Sequence, residues 1–223
     1  MKSKVTWIIC LGLLLLLKTG TAGAVSIYNS TSQFSSASNP AGVWSYGWMP
    51  TDFSSFNLYP DMRLITSVNN SPAWYDKALG TEPVIWKNES SGAIWGVSPG
   101  EVSLHPGSSG QASVIRFTAP FAGLADISAI FSAGDGAAMN VGVRNSSGFL
   151  WTASDAGSWL SMDYSFAPLD TIDFVVWGGY YYGNTPLDVT ISLEKRTVPE
   201  PSTLLLLASG VGGMAVFRRR YAS

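Results

Sequence analysis

Five short segments of this chain alternate apolar and polar residues with a period of two, and this pattern limits the fold more than any other feature. In Ser113–Thr118, Ile115 and Phe117 fall on one face and Arg116 on the other. Ala125, Ile127, Ala129 and Phe131 alternate with Asp126 and Ser128, and Met139, Val141 and Val143 with Asn140, Gly142 and Arg144. Ile172, Phe174 and Val176 alternate with Asp173, Val175 and Trp177, and Val189, Ile191 and Leu193 with Asp188, Thr190, Ser192 and Glu194. Side chains of a strand point to opposite faces in turn, so each segment reads as a half-buried antiparallel strand. Asp173, Asp188 and Glu194 are thereby expected to face outward. Pro106-Gly107, Gly134-Asp135-Gly136 and Asn184-Thr185-Pro186 punctuate the runs, and Asn145–Gly148 reads as a hairpin tip. No helical period exceeds two turns. The expectation is an all-β, antiparallel β-sandwich of jelly-roll type. Between Ala37 and Gly80, Pro40, Pro50 and Pro60 interrupt the pattern. Short strands are expected there at Val43–Trp48 and Phe56–Tyr59, with a helical turn near Ala73–Leu79.

The two ends read as address segments. Lys2 and Lys4 precede an apolar run, Val5–Leu17, and Ala22-Gly23-Ala24 offers small residues to signal peptidase. Residues 1–24 are therefore expected to be a signal peptide cleaved after Ala24. At the other end, Pro199-Glu200-Pro201 leads into an uncharged run through Phe217, closed by Arg218, Arg219 and Arg220. The prolines oppose helix and strand pairing, and the arginines hold to the cytoplasmic side. The run 203–217 is short for a permanent anchor, which usually needs about 20 residues. Triplet, single hydrophobic helix and arginine cluster, in that order, resemble the PEP-CTERM sorting signal of Gram-negative bacteria. The resemblance implies transient anchoring in the inner membrane, processing by an exosortase-type transpeptidase, and delivery to the cell surface or extracellular matrix. The chain is thus divided into a signal peptide (1–24), a β-sandwich domain (25–197) and a sorting segment (198–223).

Composition narrows what the middle part can do. The lone cysteine, Cys10, lies in the signal segment, so the body has neither disulfides nor thiol chemistry. It holds 14 acidic residues, all but Glu200 of the total, against seven basic ones. This acidic balance opposes nucleic acid as a partner.

A second resemblance runs from about Phe34 to Leu193. Asn39–Gly47, Leu104–Gly107, Val114–Pro120 with Gly123, and Asp170–Val176 are similar to an uncharacterised domain of secreted bacterial proteins. Its look is that of a jelly-roll, carbohydrate-binding module. Leu169 stands where that domain favours glycine before the Asp-Thr-Ile-Asp run. The resemblance implies a fold and brings no catalytic residues with it.

Candidate chemistry is sparse. His105 is the only histidine, and no Gly-x-Ser-x-Gly elbow accompanies it, which argues against a nucleophilic triad and against histidine-cysteine zinc sites. At a strand end before Pro106-Gly107, His105 is expected to satisfy turn backbone. No pair of carboxylates stands out as a glycosidase set, since Asp170 and Asp173 point to opposite faces. No cofactor is expected beyond a structural calcium, for which Asp135, Asp155, Asn184 and Asp188 are oxygen donors. Aromatic residues are the stronger sign. Trp44, Tyr46 and Trp86 are expected in the core. Trp177, which opposes the Ile172/Phe174/Val176 face, and Tyr180, Tyr181 and Tyr182, in a glycine-flanked loop, are candidates for stacking on sugar rings. The expected function is a non-enzymatic, exported protein associated with exopolysaccharide in a biofilm-like matrix. A structural or adhesion protein with a protein–protein interface is the alternative, and a polysaccharide-active enzyme a more distant one.

Overall fold

The computed structural model describes residues 24–136, 139–154 and 157–196. The signal-cleavage residue Ala22, the calcium candidate Asp155 and the sorting residues Pro199, Glu200, Pro201, Arg218, Arg219 and Arg220 lie outside the described residues. Ala24–Lys195 makes one compact unit.

That unit is all-β, built from antiparallel sheets arranged as a sandwich, as the alternation predicts. One sheet runs in the order β12 (Ser158–Phe166), β9 (Gly123–Phe131), β14 (Thr185–Lys195), β7 (Val102–His105), β6 (Val84–Lys87), β5 (Ser71–Tyr75) and β4 (Asp61–Ile65). Strand β1 (Val25–Asn29) pairs alongside β14. The second sheet runs β11 (Gly148–Ala153), β10 (Asn140–Asn145), β13 (Thr171–Trp177), β8 (Ala112–Thr118), β2 (Trp44–Met49) and β3 (Asn57–Leu58). Asn145 pairs with Gly148 across a two-residue hairpin, and the Asn145 side chain accepts a bond from the Ser147 amide. The expected tip is therefore present.

The core fills the space between the sheets with the predicted apolar faces. Ile127, Ala129, Phe131, Val189, Ile191 and Leu193 come from one side; Ile115, Phe117, Val141, Val143, Ile172 and Phe174 from the other. Trp44 and Tyr46 join this cluster, as expected, and a T-shaped contact of 5.3 Å links Trp44 to Phe117. Interdigitated apolar side chains of this kind supply most of the drive to fold.

Two expectations are corrected. The residues expected to form a helical turn near Ala73–Leu79 are strand β5 through Tyr75, followed by a turn at residues 77–79. Ser71–Trp74 is buried on both faces, so no alternation marks it as a strand. Asp173 does point away from the main core but is 1% exposed, not outward in water. Arg116 donates to its carboxylate from Nε at 2.6 Å and Nη2 at 2.9 Å, and Arg144 lies 3.9 Å away. The loop after β2 folds over this face, with the Phe56 ring 4.0 Å under the Arg116 guanidinium. A charge this deep is tolerated because it is paired and bidentate.

Candidate functional site

The outer face of the β4–β7 half of the first sheet carries a small core of its own. Val68, Ala73, Val84, Trp86 and Val97 form it, with the segment between β6 and β7 folded across the strands. Asn88, fully buried, pins that segment: its side-chain amide donates to the Val97 carbonyl at 2.8 Å and the Gly92 carbonyl at 3.0 Å. Beside this core opens a pocket of about 290 Å³ with Val84 and Trp86 in its lining.

Two aromatic residues on its lining hold unusual backbone. Ile94 and Val97 exchange both backbone hydrogen bonds, closing a two-residue turn in which Trp95 has φ 50° and Gly96 φ 71°. Such turns favour asparagine or glycine first, because a bulky side chain is opposed in the left-handed region. Trp95 occupies it nonetheless, 48% exposed, with its ring 5.6 Å from Trp86 in a T-shaped contact. Tyr182 has φ 58° and is 70% exposed. Residues held in sparsely populated backbone regions cluster at functional sites.

Glycines set the loops against one another. A Cβ on Gly96 would fall on the Gly134 carbonyl, and one on Gly134 would fall on the Asn184 carbonyl. The Trp95 turn, the loop after β9 and the start of β14 thus stack backbone on backbone, which only glycine allows. This stack brings Asp135 to Asn184, whose amide and side chain donate to the two carboxylate oxygens, each at 3.0 Å. Asn184 Oδ1 in turn accepts from the Trp86 indole at 2.8 Å. His105 donates from Nδ1 to the Pro106 carbonyl at 2.8 Å, the turn role expected of it. Glu82 accepts from Thr81 and, at 3.3 Å, from the Tyr180 hydroxyl; its negative charge pushes the Tyr180 phenol above the ordinary value. Arg63 stacks 4.7 Å over Tyr75 and donates to the Thr81 carbonyl. An apolar floor, two exposed rings and a rim of amide, carboxylate and guanidinium groups suit a ligand with flat apolar faces and many hydroxyls.

The structure separates residues that the sequence lists together as binding candidates. Tyr182 lines the pocket, whereas Tyr180 packs against His105 and Tyr181 stands 79% exposed beside it. Trp177 lies on the outer face of the second sheet, half-buried against Phe53 and Phe149 at 5.4 and 5.0 Å. Among the calcium candidates, Asp135 and Asn184 are neighbours that satisfy each other, while Asp188 accepts from Asn29 elsewhere. Among the described residues, no group of three or more His, Cys, Asp and Glu is placed to hold a metal ion. Sequence reasoning did not single out Trp95, Arg63 or Glu82. The Trp-Gly step at 95–96 was the one available sign, a turn glycine next to a large ring.

Comparison with known proteins bears mainly on the C-terminus. The PEP-CTERM protein-sorting motif matches residues 197–220. The motif supports an exported, sorted surface protein and implies exosortase-type processing with transient membrane anchoring. No curated protein matches the sequence. Among solved structures, the chain is similar to the secreted serine protease VesC from Vibrio cholerae, at 10% identity and a TM-score of 0.31. That likeness covers 80% of this chain and 45% of the protease, so the chain spans less than half its length. A cleaved adhesin domain of Lys-gingipain from Porphyromonas gingivalis matches at 13% identity and a TM-score of 0.28, covering 67% of this chain and 89% of the domain. An arabinose-bound α-L-arabinofuranosidase matches at 13% identity and a TM-score of 0.29, covering 66% of this chain and 29% of the enzyme. Likeness at this distance carries nothing about chemistry.

Proposed function

We propose that this is a non-enzymatic protein of the cell surface or extracellular matrix that binds polysaccharide through the pocket lined by Trp95 and Tyr182. The observation that carries the reading is the pair of exposed rings, both in left-handed backbone, on one pocket with an apolar floor and a polar rim. Sugar rings offer apolar C–H faces to such rings and hydroxyls to the surrounding amide and carboxylate groups. The sorting motif supports an exported surface protein, which would meet such polymers outside the cell, and the acidic body favours uncharged ones.

The processed protein should be retarded in native gels containing the host's own exopolysaccharide. Trp95→Ala and Tyr182→Ala should each lose most of that retardation. Trp177→Ala should keep it, because Trp177 packs on the other sheet. Equal mobility with and without polysaccharide rejects the reading.

One feature favours a second role in adhesion. On the outer face of the first sheet, Ile27, Leu124, Ile130 and Trp159 are each at least half exposed. Apolar residues gathered on one sheet face fit a protein–protein contact. Self-association at micromolar concentration, lost on Trp159→Ser, would support it.

A further inference from the structure

Residues from four directions line the pocket, and that arrangement bears on which part of a glycan it can take. Strand pairing fixes their places. Val84 stands opposite His105 and Tyr75, and Trp86 opposite Ser103 and Ala73, so the floor lies in the middle of the half-sheet. Across the strands, Arg63 and Ile65 of the edge strand β4 close one side. Asp135 and Asn184, at the β14 side, close the other. Along the strands, Glu82, His105 and Tyr182 gather at the Val84 end, and the Trp95 turn stands at the Trp86 end. A polymer lying along the sheet would have to cross the edge strand or the glycine-locked stack that joins the Trp95 turn, Gly134 and Asn184. The remaining way in is perpendicular to the sheet.

Size agrees with shape. Pockets for drug-sized ligands run from about 300 to 1,000 Å³, and this one, near 290 Å³, is at the small end. It has room for a ring-sized group rather than a run of several. Resting on the carbohydrate reading above, we infer that the pocket recognises the terminal sugar ring of a neutral glycan chain, entered end-on. Trp95 and Tyr182 supply apolar faces to that ring. The carboxylates of Glu82 and Asp135 already accept internal bonds but keep lone pairs for hydroxyl donors. The protein then counts chain ends, and its capacity on a polymer follows the number of ends rather than the mass.

Titration of the processed protein with neutral oligosaccharides, from disaccharide to hexasaccharide, tests this, beside a neutral polysaccharide before and after partial endo-cleavage. End-on binding predicts affinity per molecule that is flat along the series, and polymer capacity that rises in step with newly made ends. Affinity that climbs with each added unit, or capacity unchanged by cleavage, overturns the end-on inference while leaving carbohydrate binding intact. Binding to none of these probes, nor to the host polymer, overturns the carbohydrate reading itself. Trp95→Asn separates binding from folding, because asparagine suits the left-handed turn position. It should weaken disaccharide binding about tenfold or more, as removal of a central aromatic anchor does, with thermal unfolding little changed. Undiminished binding in that variant would remove Trp95, and with it the wall at that end, from the site.

Discussion

At the scale of single residues, two side chains carry consequences that can be measured directly. Leu169 stands where the resembling domain favours glycine, and its φ of 69° shows why glycine suits the place. The amides of Leu169 and Asp170 bond to the carbonyls of Ala119 and Ala167, so the turn is held in spite of the side chain. Leucine is 77% exposed there and gains little from burial. A left-handed backbone costs a non-glycine residue about 1–2 kcal/mol, against about 0.5–1 kcal/mol for the extra chain entropy of glycine. Leu169→Gly should therefore raise stability by up to about 1 kcal/mol in urea unfolding. A loss would mean that the side chain makes contacts worth more than its backbone strain. Tyr46 bears on pH. Burial pushes its phenol up to about 12, although the Ser35 amide donates to the oxygen and acts the other way. Because the folded state holds this proton more tightly than the unfolded chain, the contribution is complete below pH 10. It declines as pH rises from there through about 12, at roughly 1.4 kcal/mol per pH unit. Tyr59, raised still further by burial, extends the same trend. Stability measured by circular dichroism should fall over this alkaline window, and the slope should shrink in Tyr46→Phe. A flat profile from pH 10 to 12 would contradict the burial of both phenols in neutral form.

At the scale of elements, the glycine stack converts loop sequence into a site. Gly134 has φ 56°, and a Cβ there would fall on the Asn184 carbonyl. Gly134→Ala must push the loop after β9 away from β14, costing about 1–3 kcal/mol from backbone strain and overpacking. Asp135 should then leave Asn184 and saccharide binding should weaken, whereas Gly92→Ala, where a Cβ meets nothing, should change neither. Thermal melts and gel retardation on the two variants decide it; equal behaviour would deny the stack its positioning role. How legible these elements were follows from their burial. Strands β9 and β14 bury one face and wet the other, so alternation revealed them. Strands β5 and β6 are covered on both faces by the sandwich core and by the small outer core, which erases the period-two pattern. Strand β12 at a sheet edge also alternates, Leu160, Met162, Tyr164 and Phe166 against Ser161, Asp163 and Ser165, a pattern present in the sequence beyond the five segments that define the fold class. The site was legible only in part. Tyr182 announced itself in a run of tyrosines beside glycines. Trp95, Glu82 and Arg63 meet through long-range strand pairing that no local pattern encodes.

At the scale of the whole molecule, strand β14 relates the site to the two ends of the folded unit. Its eleven residues span about 35 Å. Asn184, part of the pocket lining, immediately precedes it, and Lys195 closes it. There the Lys195 amide donates to the Ala24 carbonyl at 3.1 Å, so the two ends of the folded unit lie side by side. The pocket opens at the opposite end of that strand. The pocket lining and the paired ends of the folded unit are thus separated by about the length of that strand. The absence of cysteine after Cys10 lets single introduced cysteines report on the exposure of each end of the unit. In a Glu200→Ala background, in which the processing motif is impaired, the protein should remain in the membrane fraction as a longer species. Tyr181→Cys in that background should react readily with a membrane-impermeant maleimide on spheroplasts, and Arg196→Cys should react several-fold more slowly. Once the chain is extracted in detergent, the two rates should converge, since both positions are exposed. Equal rates on spheroplasts would mean that the retained chain leaves both positions equally accessible. Normal shortening and release of the Glu200→Ala chain would refute the role given to the triplet.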